Sequence, residues 1–429
     1  MTPPHPAPDG RPRVVWSWAL YDWANSAFTT LVVTFVYSTY FTKAMAPDEV
    51  TGTAWWSRAV AVSALLTSLL SPVLGAAADR AGARKPFLAA TTALCILATA
   101  LLAFVSPGGP NTALLALALF VAADVAFETG YVFYNAFLPF IAPPERLGRV
   151  SGYGWGLGYV GGLVCLALAL VGFIRPEAPW FGLSKDAAVR ATNLLVAAWY
   201  LTFALPLFLW VPERRAGRVR LDVRGAFAEL ARTGRDIKRY GEVVKFLIAR
   251  LVYNDGLVTV FAFGGIYAAG TFGMPLSEVI LFGIALNVTA GLGAAAFGAL
   301  DDRLGGKTTI MVTLLGLALA TLGAVLAPTK TWLWAAGLLL GVFVGPNQAA
   351  SRSLLARLVP QHRQSEFFGF FQFSGKATSF LGPILLGTAA AVFRSQRAGV
   401  ATVLAFFLVG GALLLMVDER RGIEAGRAP

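Results

Sequence analysis

The sequence predicts an all-α membrane protein, with twelve transmembrane helices arranged as two pseudo-symmetric six-helix bundles. Three observations carry this expectation. The 429-residue chain is 57% hydrophobic and only 14% charged, about half the charged share of an ordinary soluble protein, and its mean hydropathy is +0.66. Its apolar residues gather into twelve stretches, each near the roughly 20 residues that a helix needs to cross a hydrocarbon core. Lysine and arginine are spread unequally over the connections between those stretches.

The stretches are 14–42, 55–78, 86–106, 111–141, 150–174, 190–211, 246–271, 278–300, 308–327, 331–356, 366–393 and 398–417, and some, such as 191–211 and 308–327, carry no charge at all. As buried helices of a soluble protein they would leave almost nothing to face water. The Pro-rich segment 1–13 has no small-residue cleavage site behind it, so it reads as a flexible tail before a retained first span. With that tail inside, the inner connections hold 24 lysines and arginines and the outer ones 8. Both termini are therefore expected in the cytoplasm of a multi-pass protein of the cell (inner) membrane. The net charge of +12 becomes a topology signal. Nucleic-acid binding is excluded, since no basic patch is interleaved with base-stacking aromatics. Two cysteines, Cys95 and Cys165, and two histidines, His5 and His362, leave zinc, haem and Ser-His chemistry without parts. No metal, cofactor or enzymatic activity is expected.

The longest connection, 212–245, separates an N-terminal bundle (14–211) from a C-terminal one (246–417), with a tail at 418–429. Within it Val223, Phe227 and Leu230 have helical spacing among basic residues, which fits a helix on the inner leaflet or a solvated linker. Weak internal repeats support the division. GAAADRAGARK (75–85) follows span 2 and GALDDRLGGK (298–307) follows span 8. Tyr21-Asp22 in span 1 is matched by Tyr253-Asn254-Asp255 in span 7, and PPER (143–146) by PQHR (360–363). Repeats at the same ordinal positions of two halves are the pattern of parallel-repeat transporters, whose small-molecule site lies near mid-bilayer between the halves.

The 75–85 loop resembles the signature loop of the major facilitator superfamily, and 298–307 its degenerate second copy. WALYDWANSAF (18–28), YNAFLPFIAPPERLGRVSGYGWGLGYVGG (134–162), YNDGLVTVFAFGGIYAAGTFG (253–273), GPNQAASRSLLARLVP (345–360) and SEFFGFFQFSGKATSFLGP (365–383) are similar to the vacuole-effluxer branch, whose fungal members export amino acids from the vacuole during autophagy. The resemblance runs nearly end to end and implies the major facilitator fold. It also implies that Asp79, Arg80 and Arg84 latch the inner side shut in the outward-open state. On the residues themselves, Asp79 and Asp302, the latter followed by Arg303, can receive helix N-termini or arginines across the seam, while Gly82 and Gly305 permit tight turns. A role in topology alone is the plain alternative. Gly345-Pro346 and Gly382-Pro383 are places for spans 10 and 11 to bend.

Seven charged residues fall inside spans. Arg250 and Arg352 come out near cytoplasmic ends, where they are expected to snorkel. Asp22, Asp124, Glu128, Asp255 and Lys376 lie deeper, where each costs about 2.5–3.5 kcal/mol if unpaired. That cost points to pairing or to a wet cavity. Asp124 and Glu128, four apart, share a helix face, an arrangement suited to carrying a proton. Lys376 is the only deep cation; it either receives a substrate carboxylate or is the fixed partner of Asp22 or Asp255. Tyr21, Tyr253 and Asn254 join these as substrate or proton candidates, with Trp23, Tyr134 and Phe371 as further aromatics that line the site or merely pack.

Two motifs are decoys. GLGYVG (156–161) fits a dinucleotide fingerprint but follows no strand; Gly154, Gly158 and Gly162 read better as a small-residue packing stripe. The Gly-Pro pair that proton antiporters of the superfamily often carry in span 5 is absent. Gly306-Lys307-Thr308 lacks the glycine of a phosphate loop, since Asp301 stands there. The expected function is secondary active transport of amino acids or related zwitterions, outward, driven by protons or by the solute's own gradient. No protein partner is called for beyond the surrounding lipid. Proton-linked export of drugs or sugars is the rival within transport, and a membrane receptor or scaffold is the rival outside it.

Overall fold

The computed structural model describes residues 10–427 except 110, 176, 178, 214–222 and 236–238; most of the expected N-terminal tail, part of the linker and the end of the C-terminal tail lie outside the described residues. Among the described residues ten helices are long and apolar enough to cross a bilayer. They are spans 2 (Glu49–Ala81), 3 (Arg84–Leu102), 4 (Thr112–Ile141), 5 (Pro144–Ile174), 6 (Lys185–Trp210), 7 (Gly241–Phe272), 8 (Ser277–Leu304), 9 (Gly306–Val325), 10 (Lys330–Leu358) and 12 (Gln396–Leu415). The remaining two spans are interrupted. Span 1 (12–45) passes from α-helix into π-helical turns at Phe28–Phe35 and Phe41–Met45. Span 11 (364–392) breaks into Gln364–Lys376 and Leu381–Val392. The fold class expected from the sequence holds: two six-helix bundles of the major facilitator type. Exposed leucines such as Leu69, Leu97, Leu292, Leu319 and Leu408 ring the outside, as a surface facing lipid requires.

Within the first bundle span 1 packs on spans 5 and 6, and span 4 on spans 2 and 3; within the second, span 7 packs on span 12 and span 10 on spans 8 and 9. The bundles meet along two seams, span 2 against the first part of span 11 and span 5 against spans 8 and 10. Both seams are built on glycine, which lets backbones touch. A Cβ on Gly75 would fall 2.2 Å from the Ser365 carbonyl oxygen, and one on Gly152 would fall 2.4 Å from that of Ala294. These contacts lie toward the face that holds the termini and the basic connections, called the basic face below.

The two halves also repeat a capping device. Glu213, just past span 6, accepts hydrogen bonds from the backbone N–H groups of Arg84 and Lys85 at the start of span 3. Glu419, just past span 12, does the same for Gly306 and Lys307 at the start of span 9, at 2.9 and 3.0 Å. Each carboxylate thereby satisfies orphan donors at a positive helix end. Lys85 and Lys307 reach back to carbonyls at the ends of spans 6 and 12.

The linker helix Val223–Arg235 does not simply lie on a leaflet or in water. Its Ala226 is buried against Ala76 and Ala77 of span 2, with Leu230 beside them, while Phe227 is exposed. The expected bends also differ from what the backbone does. Span 10 runs unbroken through Gly345-Pro346, and Gly345 serves close packing instead: a Cβ there would sit 2.0 Å from the Ala290 carbonyl oxygen. In span 11 the break spans 377–380, just before Gly382-Pro383. Pro383 supplies no N–H to Ser379, so the helix loosens in the turn ahead of the proline.

Candidate functional site

At the basic face Asp79 and Asp302 occupy equivalent positions on the two seams. Asp79 accepts from the Glu366 backbone N–H at 2.8 Å, at the start of span 11, and from Arg84 at 2.9 Å. Arg84 itself crosses the seam, donating to Ser365 Oγ and to the Gln361 carbonyl at 2.9 and 3.0 Å. Asp302 accepts from the N–H groups of Gly148 and Arg149 at 2.7 and 3.3 Å, at the start of span 5, and pairs with the side chains of Arg149 and Arg357. Each aspartate thus holds the positive end of a helix belonging to the other bundle. Gly82 ends span 2 with φ 59°, its N–H on the Asp79 carbonyl and that of Ala83 on the Ala78 carbonyl, a left-handed helix stop that glycine adopts without strain. Gly305 takes φ 87°. Arg80 and Arg303 are exposed. Asp301, beside Asp302, is buried and binds Ser353 and Arg357.

Deeper in, an ion pair joins the bundles. Asp22 of span 1 meets Arg352 of span 10 at 3.1 Å, and both side chains are 2% exposed. Tyr131 and Tyr134 donate to the two carboxylate oxygens at 2.8 and 2.9 Å. Arg352 donates further to Ser151 Oγ, the Ser151 carbonyl and Asn135, and its guanidinium lies 4.8 Å from the Trp18 ring centre. Gly154 makes room for the pair: a Cβ there would come 2.6 Å from the Asp22 carboxylate and 2.9 Å from the guanidinium. Gly158 and Gly162 continue that face against Ser26 and Thr30 of span 1.

Above this floor lies a cavity of about 320 Å³ between the bundles. It continues, through shared residues such as Thr29, Thr30 and Asn287, into a more apolar space of about 870 Å³ toward the opposite face. The protein is therefore closed at the basic face and hollow toward the other. Lys376 of span 11 crosses the cavity to Glu128 of span 4 at 2.6 Å, with the side chains 32% and 15% exposed, and Gln372 also donates to Glu128. Asp124, one turn away, is bonded to Ser63. Arg250 of span 7 lines the same cavity, stacked 3.5 Å from the Phe371 ring centre. Asn254 donates to the Gly375 carbonyl at 3.0 Å, next to Gln348. The π-helical turns of span 1 bring Thr29, Thr30 and Phe35 to the wall; such widened turns are frequent where a helix borders a site.

Of the sequence candidates, Glu128, Asn254 and Lys376 line the cavity, Asp22 forms its floor, and Asp124 stands behind Glu128. The other three lie elsewhere. Tyr21 is buried in the first bundle, its hydroxyl shared with Thr92 and Tyr200 at 2.6 and 2.9 Å. Tyr253 packs inside the second bundle, bonded to Ser351 at 2.7 Å. Asp255 is 1% exposed, neither carboxylate oxygen meets hydrogen-bond geometry with a partner among the described residues, and it does not border the cavity. Neighbours in sequence fall on different faces of one helix, so Tyr253, Asn254 and Asp255 point three ways. Lys376 pairs with Glu128 and not with Asp22 or Asp255. Arg250 and Arg352 do not snorkel. Span 7 begins at Gly241, putting Arg250 about 14 Å along the helix, and the region of Arg352 is buried beneath the seam. Trp23 stacks on Trp199, and Tyr134 lies under Asp22.

Two stretches, 44–147 and 144–427, match the family model described as "Vacuole effluxer Atg22 like". The chain is 30% identical over 416 residues to an uncharacterized MFS-type transporter, YxiO, of Bacillus subtilis (strain 168), covering 96% of each. It is 23% identical over 300 residues to autophagy-related protein 22-1 of Penicillium rubens, covering 64% of this chain and 50% of that one. The fold is similar to that of the proton:xylose symporter XylE bound to 6-bromo-6-deoxy-D-glucose, with a TM-score of 0.75 at 13% identity over 96% of both chains.

Proposed function

The chain belongs to the vacuole effluxer Atg22-like family of the major facilitator superfamily, a family of secondary transporters and not of enzymes, and from that premise we propose that it moves amino acids or related small zwitterions across the cell membrane. One observation carries the solute class: the cavity between the bundles presents both signs of charge, Glu128 and Lys376 bridged across it and Arg250 on its wall. A sugar needs no such charges, and a purely apolar compound would find them costly to desolvate.

The lysine and arginine bias supports a cytoplasmic basic face, so that the protein stands open to the outside. Transport then follows from rocking the bundles about the cavity. The contacts of Asp79, Arg84 and Asp302 hold the cytoplasmic seam closed and part when the cavity turns inward. Glu128 trades Lys376 for a proton or for the solute's ammonium, which couples flux to the proton gradient. Outward movement is the direction proposed, although a vacuole effluxer releases its solute toward the cytoplasm.

The test is counterflow of a panel of radiolabelled amino acids in proteoliposomes, with and without an imposed pH gradient. Saturable exchange of at least one amino acid is expected, accelerated by the pH gradient. Exchange of a drug or sugar with none of amino acids would replace the solute class. Binding without flux would make the protein a receptor. Right-side-out and inside-out vesicles assign direction: accumulation in inside-out vesicles supports export, and accumulation in right-side-out vesicles replaces it with uptake.

A further inference from the structure

We infer that Arg250 is the anchor for the anionic group of the solute, a carboxylate in the zwitterion proposed above; the solute class rests on that reading, while the anion subsite is argued from the cavity alone. Three cations border the central cavity: Arg250, Arg352 and Lys376. Two are committed to a carboxylate of the other bundle. Arg352 is held by Asp22 at 3.1 Å and Lys376 by Glu128 at 2.6 Å. Among the described residues Arg250 has no carboxylate within ion-pair distance. The carboxylate that acts on it from farther away is Glu128, which already accepts from Lys376 and Gln372.

The guanidinium is nevertheless fixed. One terminal nitrogen donates to the Phe371 carbonyl at 2.7 Å and to Ser374 Oγ at 2.9 Å, and the Phe371 ring lies 3.5 Å beneath it. Those contacts use one nitrogen of three. Nε has no acceptor, and the second terminal nitrogen is bonded to none among the described residues. The residue is 5% exposed, so water does little for the unused donors. A guanidinium presents its N–H groups as a rigid fork that matches a carboxylate, and an ionic acceptor there would form the stronger, charge-assisted kind of bond. Gly375 keeps the place open. A Cβ on it would stand 2.9 and 3.2 Å from the two terminal nitrogens and push the guanidinium off its seat.

The ligand is therefore a small carboxylate, held by span 7 at one end. Its ammonium, where it has one, faces Glu128 of span 4, so that a zwitterion bridges the two bundles. Lys376 takes a different part from the one its isolation in the sequence suggests: it holds Glu128 until the solute's ammonium or a proton replaces it.

The test uses full-length protein in lipid nanodiscs and three small branched aliphatic probes, L-leucine, L-leucinamide and the one-carbon-shorter acid isovalerate, with affinities read by calorimetry. The apolar outer space favours a branched aliphatic body. Wild type is expected to bind leucine and isovalerate, with leucinamide at least about 10-fold weaker, the size expected for hydrogen bonds to a charged group. Arg250→Gln is expected to erase the preference of acid over amide, Arg250→Lys to keep part of it, and Gly375→Ala to weaken both acids with Arg250 present. Equal binding of leucine and leucinamide by wild type would overturn the inference, as would an undiminished preference in Arg250→Gln or binding of none of the three probes. The wild-type comparison needs no variant, so a variant that fails to fold does not spare the idea. Arg250-dependent binding of isovalerate without flux of any amino acid keeps the subsite and removes the zwitterion reading. Amino-acid flux without acid-over-amide preference removes the subsite and keeps the transport.

Discussion

Two of the ion pairs that cross from one bundle to the other meet at the central cavity, Asp22–Arg352 in its floor and Glu128–Lys376 across it, and they are built differently. Asp22–Arg352 is sealed: both side chains are 2% exposed, both carboxylate oxygens take tyrosine hydroxyls, and the guanidinium has four acceptor contacts under an aromatic roof. Glu128–Lys376 borders the cavity, 15% and 32% exposed, and among the described residues Gln372 is the one further donor to the carboxylate. A sealed pair resists exchange, because removing one partner strands a charge in low dielectric. A pair that borders a cavity can exchange its partner for a solute charge or a proton at small cost. On the transport reading proposed above, the difference gives stability and the closed floor to the first pair, and ligand exchange to the second.

The largest expected effect comes from breaking the sealed pair. Asp22→Ala leaves Arg352 buried and uncompensated, a loss of about 3–5 kcal/mol, and thermal melting in detergent should show a strongly destabilised protein. The double change Asp22→Asn with Arg352→Gln is expected to recover part of the loss, since no charge is then stranded. A single variant as stable as wild type would deny that the pair is sealed.

Next comes the exchangeable pair. Lys376→Ala is expected to abolish counterflow while leaving membrane insertion and the melting temperature near those of wild type. Glu128→Gln should retain exchange but lose its response to a pH gradient. If Lys376→Ala melts as early as Asp22→Ala, the contrast between the pairs collapses; if its flux is unchanged, Lys376 has no part in exchange.

How much of this was legible in the chain depends on the kind of signal. The spans were, because a bilayer fixes their length and excludes charge. The seams were partly so: the Asp79 and Asp302 loops repeat in sequence, and the glycines of span 5 announce close packing. Arg352 was not, because its span ends beneath another bundle and not at a lipid headgroup, and depth along a helix says nothing of what covers it. Arg250 was missed for another reason: span 7 begins at Gly241, ahead of the apolar stretch that starts at 246, so the residue lies deeper along the helix than its place in that stretch suggests. Tyr21 and Tyr253 were over-read, since residues adjacent to a charged one point to another face. Glu213 and Glu419 had a signal that went unused: VPERR (211–215) and VDERR (417–421) close the two halves.

The latch tests whether the seam, too, is exchangeable. Asp79→Ala removes charge-assisted contacts to Arg84 and to the Glu366 N–H, each worth about 1.5–3 kcal/mol. The Glu366 contact crosses the seam and exists only with it closed, so its loss should raise the population open at the basic face by roughly 10-fold or more. Labelling of single cysteines placed in the seam checks this. Unchanged labelling would reduce Asp79 to a topology signal.

The smallest expected effect is at Glu419, and it serves as the control for all the others. Its carboxylate caps span 9 from a segment of the same bundle, so its contacts are the same whichever side is open. Glu419→Gln keeps the shape and removes the charge at a helix N-terminus, a loss of about 0.3–1 kcal/mol. A slightly lower melting temperature is expected, with seam labelling and counterflow unchanged. Glu213→Gln in the other half should behave alike, because the geometry repeats. If either variant shifts seam labelling as far as Asp79→Ala does, then caps within a bundle also bias the rocking. The separation of sealed, exchangeable and merely structural charges would then have to be redrawn.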